Sequence, residues 1–127
     1  MANPMYGQNK ADSEIALSAD QSTYHVKFTD AGGAVDSKAV RFIEVARTDG
    51  VCAITGVRGD EWAGQLVIIK NTSASGTQAH TVTLSQGTWD GSNTVVTLNA
   101  ANECIMCMFD MAGNGTIVEN VGSVALS

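Results

Sequence analysis

Three cysteines, two histidines and one pair of adjacent carboxylates are the side chains here whose types could do chemistry. Cys104 and Cys107 have the C-x-x-C spacing of redox and metal-binding motifs, and Cys52 and His80 supply the types that would complete a zinc set. The context argues against both. A redox C-x-x-C opens a helix whose N-terminus lowers the thiolate pKa, whereas CIMCMF is an apolar run of strand length, in which positions i and i+3 point to opposite faces. A zinc site needs ligands paired on a turn, which these four residues lack. The cysteines are therefore expected to be reduced, buried and structural, and their odd number agrees with that.

The remaining candidates read the same way. His25 and His80 both fall in alternating strand segments, and neither has a neighbouring Ser, Cys or carboxylate pattern to orient it as a base. Asp60 and Glu61 are adjacent in a loop, a placement that does not set two carboxylates across a glycosidic bond. Residues 90–93 (DGSN) and 110–114 (DMAGN) hold oxygen ligands but not the spacing of a calcium loop, and a hairpin turn accounts for both. No glycine-rich phosphate loop occurs. The sequence thus assigns no catalytic residue, no cofactor and no metal, and the expectation is a protein that is not an enzyme. Trp62 and Trp89, each beside a Gly-rich loop, are the candidates for contact: either they close one end of the core or a seam between subunits, or they stack on sugar rings.

The elements that position these residues are strands. TYHVKFT (residues 23–29) alternates, with Tyr24, Val26 and Phe28 on one face and His25 and Lys27 on the other. Residues 36–47 fit either a helical stripe or a strand, and the β-forming Val40, Phe42, Ile43 and Val45 favour the strand. Asp49-Gly50 then reads as a type I′ hairpin turn into residues 51–55. Further strands are expected at 66–69, at 80–85 with Val82 and Leu84 inward, at 94–98 after the Asp90-Gly91 loop, and at 117–121 after Asn114-Gly115, with an edge at 124–126. Residues 104–109 form a continuous apolar run, which predicts a strand covered on both faces. The fold expected is all-β: a single sandwich-like or barrel-like domain of about eight short antiparallel strands over residues 21–127, preceded by an N-terminal arm of residues 1–20.

At 127 residues and 44% apolar composition the chain can close one core. No secretory leader and no membrane-length apolar run is visible, so a protein made in the cytoplasm is expected, with no membrane partner. The net charge of −6, with seven scattered basic residues, speaks against nucleic acid. Nine of the thirteen acidic residues and six of the seven basic ones precede residue 66, and the second half is rich in Thr, Ser, Asn and β-branched residues. A surface so poor in charge suits packing against copies of the chain or against another protein.

The run CAITGVRGDEWAGQLVIIKNTSASGTQAHTVTLSQGTW, then NTVVTLNAANECIMCMFD and GTIVENVG, resembles small β-domains in virion proteins of tailed phages. The matching positions are Ile54, Gly56, Gly64, Gln65, Val67, Ile69 and Asn71, then residues 82–84, Phe109 and Asp110, and residues 115–118. The opening MANPMYGQNK is similar to the start of small phage structural proteins. Members often carry a Trp in the last strand, where this chain has Ile117 and Val118. The resemblance implies a trimer-prone module of capsid decoration (cement) proteins, head fibres or tail fibres. Fibres need extended repeats, and none fits this length. The expectation is thus a decoration protein on the capsid exterior that binds the major capsid protein and itself, as a homotrimer. Met5 and Tyr6 of the arm are its anchor, and Trp62 and Trp89 are interface candidates. The alternative is a carbohydrate-binding or adhesion module of a head fibre or tail fibre, with a host glycan as the less favoured partner.

Overall fold

The computed structural model describes residues 20–21, 24–73 and 78–127. Eleven strands occur among them: β1 (Asp20–Gln21), β2 (His25–Phe28), β3 (Gly32–Gly33), β4 (Phe42–Val45), β5 (Ala53–Val57), β6 (Leu66–Asn71), β7 (His80–Leu84), β8 (Val95–Leu98), β9 (Cys104–Phe109), β10 (Gly115–Val121) and β11 (Ala125–Leu126). They form a six-stranded sheet in the order β1-β2-β4-β6-β9-β10 and a five-stranded sheet in the order β11-β8-β7-β5-β3. The result is a sandwich-like all-β domain, as the alternating segments predict. The arm, with Met5 and Tyr6, lies outside the described residues apart from Asp20, which begins β1.

The pairing differs from the antiparallel arrangement expected. From β2 to β7 the chain passes from one sheet to the other at every step, so β2, β4 and β6 run parallel in one sheet and β3, β5 and β7 run parallel in the other. Antiparallel pairing is confined to the first pair, β1 with β2, and to the later strands, β7 with β8, β6 with β9, β9 with β10 and β8 with β11. The physical reason is visible at Asp49-Gly50, which turns a corner between sheets and is not a hairpin. Neither residue takes the positive φ that a type I′ turn requires. Arg47 braces the corner instead, donating from Nε to Asp49 Oδ1 at 2.8 Å and from Nη1 to the Val51 carbonyl at 2.6 Å. Asp90-Gly91 does behave as read, with φ of 46° and 98° and the Ser92 N–H donating to the Trp89 carbonyl at 3.2 Å.

The core lies between the sheets. Alternation sends Val26 and Phe28 of β2, Ile43 and Val45 of β4, Val67 and Ile69 of β6, and Ile105, Cys107 and Phe109 of β9 inward, to meet Ile54, Val57, Val82, Leu84, Val96 and Leu98 from the other sheet. Each such side chain contributes about 1.5–3 kcal/mol by leaving water. Residues 36–41 form no strand, although Val40 among them is fully buried. The strand preference for this stretch therefore holds over β4. Cys104–Phe109 corrects the expectation of cover on both faces: Ile105, Cys107 and Phe109 are buried, while Met108 is 43% exposed and Cys104 and Met106 are half-buried.

One buried carboxylate ties the loops at the far end of the sheets. Glu103 is 2% exposed, and its Oε2 accepts the N–H groups of Asn99 (2.6 Å) and Ala100 (3.1 Å). Its Oε1 accepts the N–H (2.9 Å) and hydroxyl of Ser123. The β8–β9 and β10–β11 turns are thereby closed on one side chain.

Candidate interaction surface

Trp62 and Trp89 are both buried in the core. A 3-10 turn, Gly59–Trp62, drops Trp62 into the core, where Nε1 donates to the Ser37 carbonyl at 2.9 Å. The ring stands edge-on to Phe109 at 5.5 Å, and Trp89 tilts against the same Phe109 at 5.5 Å. Both indoles are enclosed. Gly115 permits this, since a Cβ there would lie 2.6 Å from the Trp89 ring. Of the two readings of these residues, closure of one end of the core describes their positions, and only the loops around them reach the surface.

The other chemistry-bearing residues are held in structural contacts. Burial pushes the Cys52 thiol up to about 11 and the Cys107 thiol up to about 12. Cys107 donates to the Val67 carbonyl at 3.4 Å, and Cys104 points to the opposite sheet face. Asp60 pairs with Arg58, whose hydrogen bond holds its carboxyl below the usual range, and Glu61 lies 3.7 Å from Lys38. Asp110 Oδ1 accepts the N–H groups of Ala112 and Asn114, each at 2.9 Å, closing the β9–β10 turn. No group of three or more His, Cys, Asp or Glu among the described residues could hold a metal ion.

His80 is fully buried, and its Nδ1 accepts the Cys52 N–H at 3.0 Å, so its proton sits on Nε2, which has no partner among the described residues. Burial, then the nearby Arg47 charge, lowers its pKa from 6.5. A second proton would have to displace the Cys52 bond. Because the folded value lies below the unfolded one, the stability His80 contributes is complete above pH 6.5 and is lost as pH falls through the folded value. The melting temperature is expected to start falling below pH 6.5 in the native chain, and to fall less over that limb in His80→Gln.

Among the described residues, the outer face of the six-stranded sheet carries Leu66 and Met108 exposed, with Phe42, Ile68 and Met106 half-buried beside them. Register places His25, Phe42, Ile68, Met106 and Glu119 in one row across it, and Lys27, Glu44, Lys70, Cys104 and Val121 in the next. A third, shorter row runs Leu66, Met108, Thr116. Leu66 is 40% exposed, and Met111 in the turn beyond β9 is 88% exposed. Ala63, Gly64, Phe109, Asp110, Met111 and Ala112 line a shallow depression at that end. The apolar centre is bordered by charge: His25 stacks on Phe42 at 5.0 Å and contacts the Glu44 carboxylate, and Lys27 and Lys70 stand either side of Glu44 in the register.

The edge of this sheet is protected where the face is not. The Thr88 carbonyl accepts the Gly115 N–H at 2.9 Å, Asp90 donates its N–H to the Gly115 carbonyl at 2.9 Å, and Asp90 Oδ1 accepts the Ile117 N–H at 3.0 Å. Beyond that, a bulge between Ile117 and Glu119 breaks the register. Both devices oppose strand addition. The opposite side of the sandwich differs again: Ala53, Thr81, Thr97 and Ala125 form one outward row, with Thr83 paired to Val95 beside it, and no charge among them.

Sequence reasoning missed this face, although the signal was present in residues 66–69 (LVII) and 104–109, where both alternating sets are apolar. Compared with protein-family models, curated proteins and solved structures, the chain shows no match.

Proposed function

We propose that this protein is a structural module of a virion, a capsid decoration protein that binds the major capsid protein on the exterior of the head and stabilises it. The observation that supports this reading is the outer face of the six-stranded sheet, where Phe42, Leu66, Ile68, Met106 and Met108 form a patch with the composition of a protein interface and not of a solvated surface. The likeness of residues 51–122 to tailed-phage β-domains supplies the class of assembly. The neutral Thr face offers a second surface that meets protein without burying charge. The adhesion reading has lost the feature that favoured it, because both tryptophan rings are packed on Phe109 and a sugar cannot stack on them without opening the core.

The test is co-sedimentation of the full chain with empty capsid shells of the phage that encodes it. Saturable binding at a fixed ratio to the major capsid protein, with a raised melting temperature of the shell, is the expected result. Shells that neither retain nor are stabilised by the chain would remove the decoration reading. Deleting residues 1–20 is expected to lower occupancy, and unchanged occupancy would remove the anchoring role of the arm around Met5 and Tyr6.

A further inference from the structure

We propose that Asn114-Gly115 is a gated modification site: the folded β9–β10 turn keeps Asn114 from cyclising onto the Gly115 nitrogen, and the side chain deamidates when the turn opens. Asn114 is the only asparagine in the sequence that glycine follows, and a residue without a side chain leaves its own amide nitrogen unhindered as a nucleophile. The step balances with water as the sole co-reactant. The Gly115 nitrogen gives up its proton and bonds to Cγ of Asn114, the Cγ–Nδ2 bond breaks, and ammonia leaves. Water then opens the five-membered imide at either carbonyl carbon, giving aspartate at one and isoaspartate, with an extra methylene in the main chain, at the other.

The native geometry closes this route at both reacting groups. Gly115 is the first residue of β10, where its N–H donates to the Thr88 carbonyl at 2.9 Å, a bond that must break before the nitrogen can attack. The carboxamide is held as well: Oδ1 accepts the Thr88 N–H at 2.9 Å, and Nδ2 donates to Asp110 Oδ2 at 3.3 Å. Asp110 also pins the main chain of Asn114, taking its N–H on Oδ1 at 2.9 Å and donating its own N–H to the Asn114 carbonyl at 3.0 Å. Swinging Cγ onto the Gly115 nitrogen therefore costs bonds to Thr88 and to Asp110 together. Asp110, Met111 and Ala112 are exposed and Asn114 is half-buried, so the turn lies where local opening is least costly.

The product does not fit the site it leaves. A carboxylate at position 114 puts an oxygen where Nδ2 donated to Asp110, so two like charges meet at hydrogen-bond distance. Isoaspartate displaces Gly115 along β10, and a Cβ at Gly115 would already lie 2.6 Å from the Trp89 ring. A chemical change in an exposed turn is thereby passed to one end of the core.

The experiment is peptide mass spectrometry of the full chain after incubation at mildly alkaline pH, once in buffer and once in urea. In urea Asn114 is expected to convert ahead of every other asparagine. In buffer it is expected to convert roughly a hundredfold more slowly, the factor set by breaking two or three bonds of ordinary strength. Asp110→Asn keeps an oxygen for the Ala112 and Asn114 N–H groups but sets a donor against Nδ2. It is expected to raise conversion in buffer roughly tenfold and to leave the rate in urea unchanged, and Asp110→Ala to raise it further, circular dichroism showing that each variant is folded. Asn114→Asp is expected to lower the melting temperature and move tryptophan emission to longer wavelength. Equal rates in buffer and urea would overturn the gate, and conversion in urea no faster than at Asn99 or Asn120 would overturn the site. Folded Asp110 variants that convert at the native rate would show that this carboxylate does not hold the turn shut. Native melting and emission in Asn114→Asp would remove the passage to the core.

Discussion

Glu103→Ala is expected to destabilise the fold by about 3 kcal/mol, lowering the melting temperature by roughly 10 °C. The carboxylate is 2% exposed and accepts the N–H groups of Asn99, Ala100 and Ser123 and the Ser123 hydroxyl. Its removal leaves donors of two separate turns without an acceptor. Part of the loss is recovered where Asn99 and Ser123 reach solvent, which keeps the cost below that of a fully enclosed network. Glutamine is not a rescue, because one of its two terminal atoms donates and faces groups that also donate. Ser123→Ala, which removes only the hydroxyl, is expected to cost about 1 kcal/mol. Urea unfolding of the three variants measures the series, and equal midpoints for native and Glu103→Ala proteins would show that the carboxylate does not bind the turns together.

The same site fixes the acid limb. Burial pushes the Glu103 carboxyl up, but the hydrogen bonds from the Ser123 hydroxyl and from the Asn99, Ser123 and Ala100 N–H groups outweigh it and hold the value below 4.5. With the folded value below the unfolded one, its stabilisation is complete above pH 4.5 and is lost as pH falls through the folded value. The two windows open at different pH, that of His80 below 6.5 and that of Glu103 only below 4.5, so His80→Gln is expected to reduce the fall in melting temperature that begins below pH 6.5 and Glu103→Ala the added fall below pH 4.5.

Most strands could be read from the sequence, and their neighbours could not. The alternation of residues 25–28, 80–84 and 95–98 states which side chains turn inward, because the pleat has a period of two whatever the strand pairs with. Asp49-Gly50 shows the limit: a turn signal says where the chain changes direction but not which sheet receives it, and here Arg47 carries it across to the second sheet. Parallel pairing followed, and no local signal announces it. The apolar run of residues 104–109 reads as a doubly buried strand, but the chain's own second sheet covers only the face of Ile105, Cys107 and Phe109. Glu103 was illegible for another reason, since its partners are mostly backbone N–H groups that have no residue-type signature. For the tryptophans the signal lay in the glycines: Gly115 has no Cβ because the Trp89 ring occupies that space.

That packing makes Trp62 the most costly residue to truncate. Trp62→Ala is expected to lose about 4 kcal/mol, through the cavity left beside Phe109 and the loss of the indole N–H bond to the Ser37 carbonyl. The phenylalanine variants separate the two indoles. Trp62→Phe keeps the apolar ring but removes the indole N–H bond to the Ser37 carbonyl, whereas the Trp89 Nε1 is buried with no partner among the described residues, so Trp89→Phe removes an unsatisfied donor along with the ring volume. Trp62→Phe is therefore expected to cost about 1 kcal/mol more than Trp89→Phe in urea unfolding, and equal costs would show that the Ser37 bond carries no net stability. The same enclosure predicts blue-shifted emission from both indoles, weak quenching by acrylamide and no response to glycans. A sugar that quenched either ring would require it to leave Phe109, and the position of that ring in the core, with the structural reading built on it, would fall.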